Sequence, residues 1–405
     1  MQTNLSKEAR QLPRAEEADK ILRTCVHCGF CNATCPTYQL LGDELDGPRG
    51  RIYLIKQVLE GAPATAQAQL HLDRCLTCRN CETTCPSGVD YHNLLDIGRA
   101  VIDQAVPRPA SQRLLRQGLR ALAPNPNLFK TLLQIGATFR PLLPRGVEAK
   151  LPHDLPAPGE RPVPRHARQV LMLEGCVQPG LSPNTNAATA RVLDRLGISV
   201  IAALEAGCCG ALDYHLDAQA VGLDRARRNI DAWWPYLESG AEAIVQTASG
   251  CGAFIKDYGH LLERDPVYAA KARRVSEMAL DLVQVLADEP LERVCAATDR
   301  RIAFHCPCTL QHAQKLGGAV EAVLTRLGFN LTAVPDSHLC CGSAGTYSIT
   351  QPELARQLRD NKLNALESGH PEVIATANIG CQSHLNSAGR TPVRHWIELV
   401  DQVLR

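Results

Sequence analysis

No stretch of the 405 residues approaches the ~18 uninterrupted apolar residues that a membrane-spanning helix requires, so hydropathy gives no reason to expect a helical span. The opening residues, Met1-Gln2-Thr3-Asn4-Leu5-Ser6-Lys7-Glu8, are polar and lack an apolar signal core, and the sequence therefore predicts a cytoplasmic protein. A formal charge of +1 offers no global attraction for nucleic acid. There is no Gly-x-Gly-x-x-Gly following a strand and no Walker sequence, so no flavin, NAD or nucleotide is expected on this chain. A nucleophile–base constellation is also lacking, and no catalytic residue is assigned. One local absence stands out: from Gln104 to Val147 there is not a single acidic residue.

Cysteine, by contrast, is abundant, with 18 in the chain. In a small secreted domain that number would mean disulfides; in a long chain with a polar start it points to reduced thiols available to metal. Cys25-x-x-Cys28-x-x-Cys31-x-x-x-Cys35-Pro36 is repeated fifty residues on as Cys75-x-x-Cys78-x-x-Cys81-x-x-x-Cys85-Pro86. The run is similar to that of bacterial two-cluster ferredoxins, where three thiolates hold one [4Fe–4S] cube and the fourth crosses to the other. That likeness assigns Cys25, Cys28, Cys31 and Cys85 to a first cube. Cys75, Cys78, Cys81 and Cys35 then hold a second. Proline suits the exit from the loop into a helix, having a fixed φ and no N–H to satisfy. Zinc also takes Cys-x-x-Cys pairs, but rarely three thiols at consecutive x-x intervals with a fourth at x-x-x.

Residues 1–105 are expected to form this two-cluster domain, mostly helix and loop. Between the runs, Arg51 to Glu60 reads as an amphipathic helix stopping at Gly61. The preceding turn, Asp46-Gly47-Pro48-Arg49-Gly50-Arg51, carries two arginines that either bring positive charge to a cluster or partner, or simply open a solvated helix. Residues 106–168 form a connector. There Arg108, Arg113, Arg116, Arg120, Lys130, Arg140 and Arg145 interleave with Leu114, Leu115, Leu119, Leu122, Leu128, Leu132, Leu133, Ile135, Phe139, Leu142 and Leu143. Such a basic amphipathic stretch can lie on an anionic membrane surface or pack against protein. Pro152, Pro156, Pro158, Pro162 and Pro164 then predict a stiff linker and a domain boundary.

A second duplication fills the remainder, as units 169–298 and 299–405. The first unit runs through Cys176, Gly207-Cys208-Cys209-Gly210 and Ser249-Gly250-Cys251-Gly252. The second runs through Cys306-Pro307-Cys308, Leu339-Cys340-Cys341-Gly342 and Ile379-Gly380-Cys381-Gln382. Cys176–Cys208 and Cys308–Cys340 span the same 32-residue interval, which fixes the register of the repeat. In each unit β-rich runs alternate with helical patterns such as 188–197 and 319–328, both closing on glycine. The alternation predicts parallel sheets with the cysteines beyond the carboxyl ends of the strands, where open α/β sheets bind ligands. The fold class is thus mixed α+β: an N-terminal helical two-[4Fe–4S] ferredoxin-like domain followed by a duplicated α/β domain.

Paired Cys-Cys-Gly elements behind two ferredoxin cubes resemble the CCG family of iron–sulfur subunits, which includes anaerobic glycerol-3-phosphate and glycolate dehydrogenase subunits. The resemblance covers nearly the whole chain and is closest to the glycolate branch. It rests on Cys-Val-His-Cys-Gly-Phe-Cys at 25–31, Leu-Leu-Gly-Asp-Glu-Leu-Asp-Gly-Pro-Arg-Gly-Arg at 40–51, His-Cys-Pro-Cys-Thr-Leu-Gln-His at 305–312 and Thr-Ala-Asn-Ile-Gly-Cys-Gln at 376–382. It implies metal at the CCG units, either a further iron–sulfur centre or zinc. The sets would be Cys308, Cys340, Cys341 and Cys381 in the second unit and Cys176, Cys208, Cys209 and Cys251 in the first. The fullest family pattern ends each unit in Cys-x-x-Cys; here Phe254 and His384 stand at the last position. Cys306 and His384 are possible extra donors in the second unit, which is the better candidate on ligand number. His215, His305, His312 and His338 are expected to serve in hydrogen bonding or packing, and Cys295 is read as structural.

The resemblance further implies an electron-transfer subunit. FAD-binding partner subunits would oxidise glycolate to glyoxylate, and electrons would pass through this chain towards a membrane quinone. The chain would sit peripherally on the inner face of the cell membrane. Lactate or glycerol 3-phosphate would leave the same cluster pattern; a heterodisulfide-reductase-like protein and a zinc-stabilised scaffold are the rivals from other classes.

Overall fold

The computed structural model describes residues 1–140 and 157–405. Leu142, Leu143, Arg145, Pro152 and Pro156 lie outside the described residues. The chain falls into two compact units, the first comprising Met1–Arg116 with His338–Leu358 and the second Gln117–Ser337 with Arg359–Arg405.

The first unit is helical. Its principal helices are α1 (Ala15–Thr24), α2 (Pro48–Leu59), α3 (Ala66–Asp73) and α4 (Tyr91–Ala105). Pro48 opens α2, where a missing N–H costs nothing, and Ile52, Ile55 and Leu59 recur at helical spacing on its buried face. Thr65 caps α3 by accepting from the Ala68 N–H at 3.1 Å. Leu22, Ile55, Leu72, Leu94, Leu95 and Ile102 pack as one core, which fixes the two cysteine loops at its margin. The expected helix after the fourth cysteine forms at Pro36–Leu41. After Cys85-Pro86 the chain turns first, and helix resumes only at Tyr91.

Helix α5 (Ala110–Leu122) carries the chain into the second unit, where α6 (Pro126–Thr138) follows. Phe129 and Leu133 of α6 pack towards Gly180, whereas Leu128, Leu132, Ile135 and Phe139, at i, i+4, i+7 and i+11, are exposed.

Two four-stranded parallel sheets follow. Strands β1 (Arg168–Met172), β2 (Ile198–Ile201), β3 (Ile244–Gln246) and β4 (Ala279–Asp281) take the order β2-β1-β3-β4. Strands β5 (Arg301–His305), β6 (Asn330–Leu331), β7 (Val373–Thr376) and β8 (Val393–His395) take the matching order β6-β5-β7-β8. β1 pairs with β2 from Arg168↔Ile198, and β5 with β6 from Arg301↔Asn330, so the duplication holds to the register. Three strand runs per unit are expected from the sequence; the fourth strand of each sheet, three residues long, is additional. One core joins the sheets, with Val170, Val192, Val245, Phe304, Val373 and Trp396 among its members. The halves also bond directly: the Ser249 N–H donates to Ala377 O at 3.1 Å, and Arg191 bridges to Asp401 at 2.6 Å.

Candidate metal centres

In the first unit the eight thiols of the doubled run surround two adjacent cavities. Cys25, Cys28, Cys31 and Cys85 line one, together with Gly29 and Arg49. Cys35, Cys75, Cys78 and Cys81 line the other, with Thr37 and Arg51. Cys81 and Tyr91 border both. Matching loop conformations aim the thiols. His27 and Thr77 have φ of 56° and 52°, and the next-but-one residues, Gly29 and Arg79, have 87° and 60°. Left-handed backbone at three non-glycine residues stores strain that persists only where surroundings impose it, a pattern common at ligand-holding sites. All eight cysteines are free. Burial pushes the Cys31 thiol up to about 11 and lifts Cys25 and Cys81 as well, with neighbouring cysteines adding to the rise. Thiols crowded out of water therefore favour the proton, and only bound cations would make four thiolates at one cavity affordable. A soft, four-thiol donor set of this kind fits an iron–sulfur cube.

The cavities differ in setting. At the first, Cys28 is exposed, as are the flanking Val26 and Phe30. Arg49 there is half-exposed and neutralised by Glu44 (Nε–Oε1 2.6 Å). At the second, Arg51 is only 1% exposed. Its Nε donates to His71 O at 2.7 Å, Nη2 to Thr37 Oγ1 at 3.1 Å, and Nη1 reaches Cys35 Sγ at 4.0 Å. Asp46, fully buried, faces Arg51 at 3.5 Å and binds Arg74 at 2.8 Å and His71 Nδ1 at 3.0 Å. The Tyr91 hydroxyl donates to Cys75 Sγ at 3.6 Å. The solvated helix start allowed for at Arg49–Arg51 is thus realised by Arg49 alone.

In the second unit, cysteines of the duplicated domain lie beyond the carboxyl ends of strands, but not all adjacent to them. Cys176 follows β1 closely, and Cys251 sits in the first turn of α7 (Ser249–Lys256) after β3. Cys208-Cys209 come only after a loop following β2. Asn229, fully buried, clamps that loop by accepting from the Gly207 N–H at 2.9 Å and donating to Cys208 O at 3.1 Å. The Tyr258 hydroxyl donates to Cys209 O at 2.5 Å. The glycine of Cys-Cys-Gly has a physical cause. Gly210 has φ +99° and an added Cβ would stand 2.4 Å from Gly222 O; Gly342, in the first unit, has φ +85° and would meet Ala355 O at 2.7 Å. Thiols of the first set bond in series, Cys176 with Cys208, Cys208 with Cys209, and Cys209 with Cys251. Hydrogen bonds from Cys176 and Cys209 hold Cys208 low, and donating them holds those two high.

Of the second set, Cys308 and Cys381 belong to the second unit, whereas Cys340 and Cys341 lie on the segment that groups with the first. His305 is expected from the sequence to serve in packing or hydrogen bonding. The structure buries it (1% exposed) with neither ring nitrogen hydrogen-bonded, and a ring nitrogen comes within 4.8 Å of Cys381 Sγ. Burial, then the nearby Lys362 charge, lowers its pKa to about 3, keeping the ring neutral and able to donate a lone pair. His384 is half-buried on the helix Ile379–Asn386. Cys306 is buried and pushed up, while Cys295 sits in the core, consistent with a structural part.

Residues 21–89 match the 4Fe-4S dicluster domain family, and residues 170–256 and 302–386 match the cysteine-rich CCG domain family. The chain is 71% identical to the glycolate oxidase iron-sulfur subunit of Escherichia coli over 404 residues, 100% of this chain and 99% of the relative. The chain belongs to the family of glycolate oxidase iron–sulfur subunits. A probable member from Bacillus subtilis is 30% identical over 89% of this chain and 87% of its own length. Lactate utilization protein A of Geobacillus kaustophilus matches at 29% over 50% of this chain and 83% of its own. Membership of this family makes the chain an iron–sulfur electron-transfer subunit of an oxidoreductase complex. Among its described residues no helix is long and apolar enough to cross a membrane.

Proposed function

We propose that this chain carries electrons from FAD-binding partner subunits, which oxidise glycolate to glyoxylate, towards a membrane quinone. The observation that carries the reading is that Cys85 lines a cavity with Cys25, Cys28 and Cys31 while Cys35 lines the adjacent one with Cys75 and Cys78, Cys81 bordering both. Cys25, Cys28, Cys31 and Cys85 would hold one [4Fe–4S] cube and Cys75, Cys78, Cys81 and Cys35 the other. Bound there, each cube supplies a one-electron carrier suited to splitting the two electrons of a reduced flavin. The protein's own part is to ligate, to bury and to set charge and hydrogen bonds at sulfur. Glycolate as the substrate rests on the 71% identical relative. A metal centre in the duplicated domain is supported by the serial thiols Cys176, Cys208, Cys209 and Cys251. In the second unit Cys308 and Cys381 are joined as candidate donors by His305. The outward stripe of Leu128, Leu132, Ile135 and Phe139 on α6, flanked by Lys130 and without carboxylates, supports peripheral attachment to the inner membrane face.

The test is anaerobic co-purification with the flavoprotein subunits, analysis of iron, sulfide and flavin, and a glycolate-to-dye assay. Iron and sulfide on this chain, flavin on the partners and dye reduction by glycolate are expected. Dye reduction by lactate but not glycolate would move the substrate; zinc without iron, in colourless protein, would replace electron transfer with a scaffold.

A further inference from the structure

Arg49 and Arg51 lie two residues apart on one helix and so point to opposite faces, about 200° apart. Arg49 meets solvent and the Glu44 carboxylate, which cancels it. Arg51 goes inward, and its surroundings do not fully cancel it. The buried Arg51 shares its one carboxylate, Asp46, at 3.5 Å with the partly exposed Arg74, which binds it more closely at 2.8 Å, so Arg51 is only incompletely cancelled. Burying an incompletely compensated guanidinium is unfavourable unless another anion is at hand. That anion would be a cube with four thiolates, which is net negative and becomes more so when it accepts an electron. Nη1 of Arg51 approaches Cys35 Sγ at 4.0 Å, and the Tyr91 hydroxyl adds a donor to Cys75 Sγ at 3.6 Å. At the other cavity backbone N–H groups of His27 and Arg49 donate to the Cys25 and Cys31 sulfurs, and the Arg49 guanidinium is neutralised by Glu44.

We propose that Arg51, assisted by Tyr91, makes the cube of Cys35, Cys75, Cys78 and Cys81 the higher-potential member of the pair, so that electrons enter at the exposed Cys28 side and collect inside. The inference rests on the two-cube reading above. A buried cation favours the reduced, more anionic cube, and a hydrogen bond to a ligating sulfur acts in the same direction. One electron leaves the outer cube, which is oxidised, and reduces the inner one; no bond forms and no proton moves. The reductant at the entry is a reduced flavin, for which the exposed Val26 and Phe30 around Cys28 provide an apolar landing. Beyond the inner cube the path continues along the same unit. Asn80, between Cys78 and Cys81, donates to His338 O at 3.2 Å, two residues before Cys340. Arg51 is a positioning residue: it ligates nothing and sets where the electron rests.

The experiment is a redox titration followed by EPR on the anaerobically purified full-length chain, with Cys28→Ser used to identify the outer signal. The inner signal is expected to appear first as reductant is added. In Arg51→Met the inner cube's electron affinity should fall at least tenfold, which is about 59 mV for one electron, with the outer signal unmoved. Arg51→Lys should recover part of that loss. Tyr91→Phe should lower the inner potential less, and Asp46→Asn, which removes the opposing charge, should raise it. An inner potential unchanged in a fully loaded Arg51→Met protein would overturn the proposal, as would a shift of the outer signal alone. Should Arg51→Met fail to assemble, Tyr91→Phe and Asp46→Asn decide: shifts of opposite sign support the proposal, and no shift or reversed signs refute it. A wild-type chain without two cube signals would instead refute the two-cube reading itself.

Discussion

The chain contains two duplications, and they have diverged in opposite ways. In the N-terminal pair the candidate ligands are alike, cysteine thiols at both cavities, and the loops share left-handed positions at His27 and Thr77 and again at Gly29 and Arg79. The surroundings differ, with Arg49 neutralised near water at one cavity and Arg51 buried at the other. In the C-terminal pair the scaffold is the same, two parallel sheets of equivalent order. There the facing atoms differ: a series of four thiols in the first half, and a neutral histidine beside Cys381 in the second. Duplicating a ligand set keeps the site and frees its environment to tune potential. Duplicating a scaffold keeps the backbone and frees the ligands.

The largest effect should come from breaking the first pair at its crossing. Cys85→Ser removes a ligand of the Cys25–Cys28–Cys31 cavity although it belongs to the second run. About half of the iron in the N-terminal unit should be lost, and the surviving EPR signal should be that of the inner cube. Survival of the outer signal instead would mean that each run serves its own cube.

Next in size is a test of scaffold equivalence in the second pair. Gly210→Ala and Gly342→Ala each force a Cβ to within 3 Å of a backbone oxygen at positive φ. We expect losses of roughly 2–4 kcal/mol in each, read as a fall of the calorimetric transition, with both variants alike. A tolerated substitution at one glycine and not the other would show that the two loops are not equivalent.

These loops mark how far the sequence could be read. Spacing gave the three-thiol runs, because residues three apart in a tight loop are close whatever else the chain does, while the crossing of Cys35 and Cys85 came from the likeness to two-cluster ferredoxins. The common interval from Cys176 to Cys208 and from Cys308 to Cys340 gave the repeat, and buried β-rich runs gave parallel sheets. The strands β4 and β8 escaped because three residues carry no usable periodicity. Arg51 escaped for a different reason. Arg-Gly-Arg looks solvated, and only the helix phase, fixed by Ile52, Ile55 and Leu59, decides which arginine turns inward. His305 follows a strand that sequence located correctly, but the lack of a partner for its ring is a property of packing in three dimensions.

A smaller effect would sharpen the contrast in how each half holds its cysteine loop. Tyr258→Phe leaves Cys209 O and the buried Asn229 amide short of a partner. The cost should be about 1–2 kcal/mol, measured by the same calorimetry. If metal content of the first half also falls, the clamp serves the ligands; if only stability falls, it serves the scaffold.

The smallest effect returns to the N-terminal pair, at the residue following each third cysteine. Asn32 there binds Glu44 at 2.8 Å and is neutral, whereas Glu82 pairs with His92 at 3.0 Å. Burial alone would lower the His92 pKa, but its hydrogen bonds to Asp90 and Glu82 prevail and raise it to about 10. A raised histidine binds its proton more tightly folded than unfolded, so its stabilisation is fully present below the ordinary value near 6.5. It then fades as pH rises towards 10. Glu82 and Asp90 are lowered, which places their contribution above the ordinary carboxylate range and makes it vanish in acid. Between pH 7 and 10 the wild type should therefore lose about 1 kcal/mol more than His92→Gln, after discounting for the partly exposed Asp90. Chemical denaturation at the two pH values measures the difference. Equal losses in both proteins would mean that His92 lends the second run no titrating support.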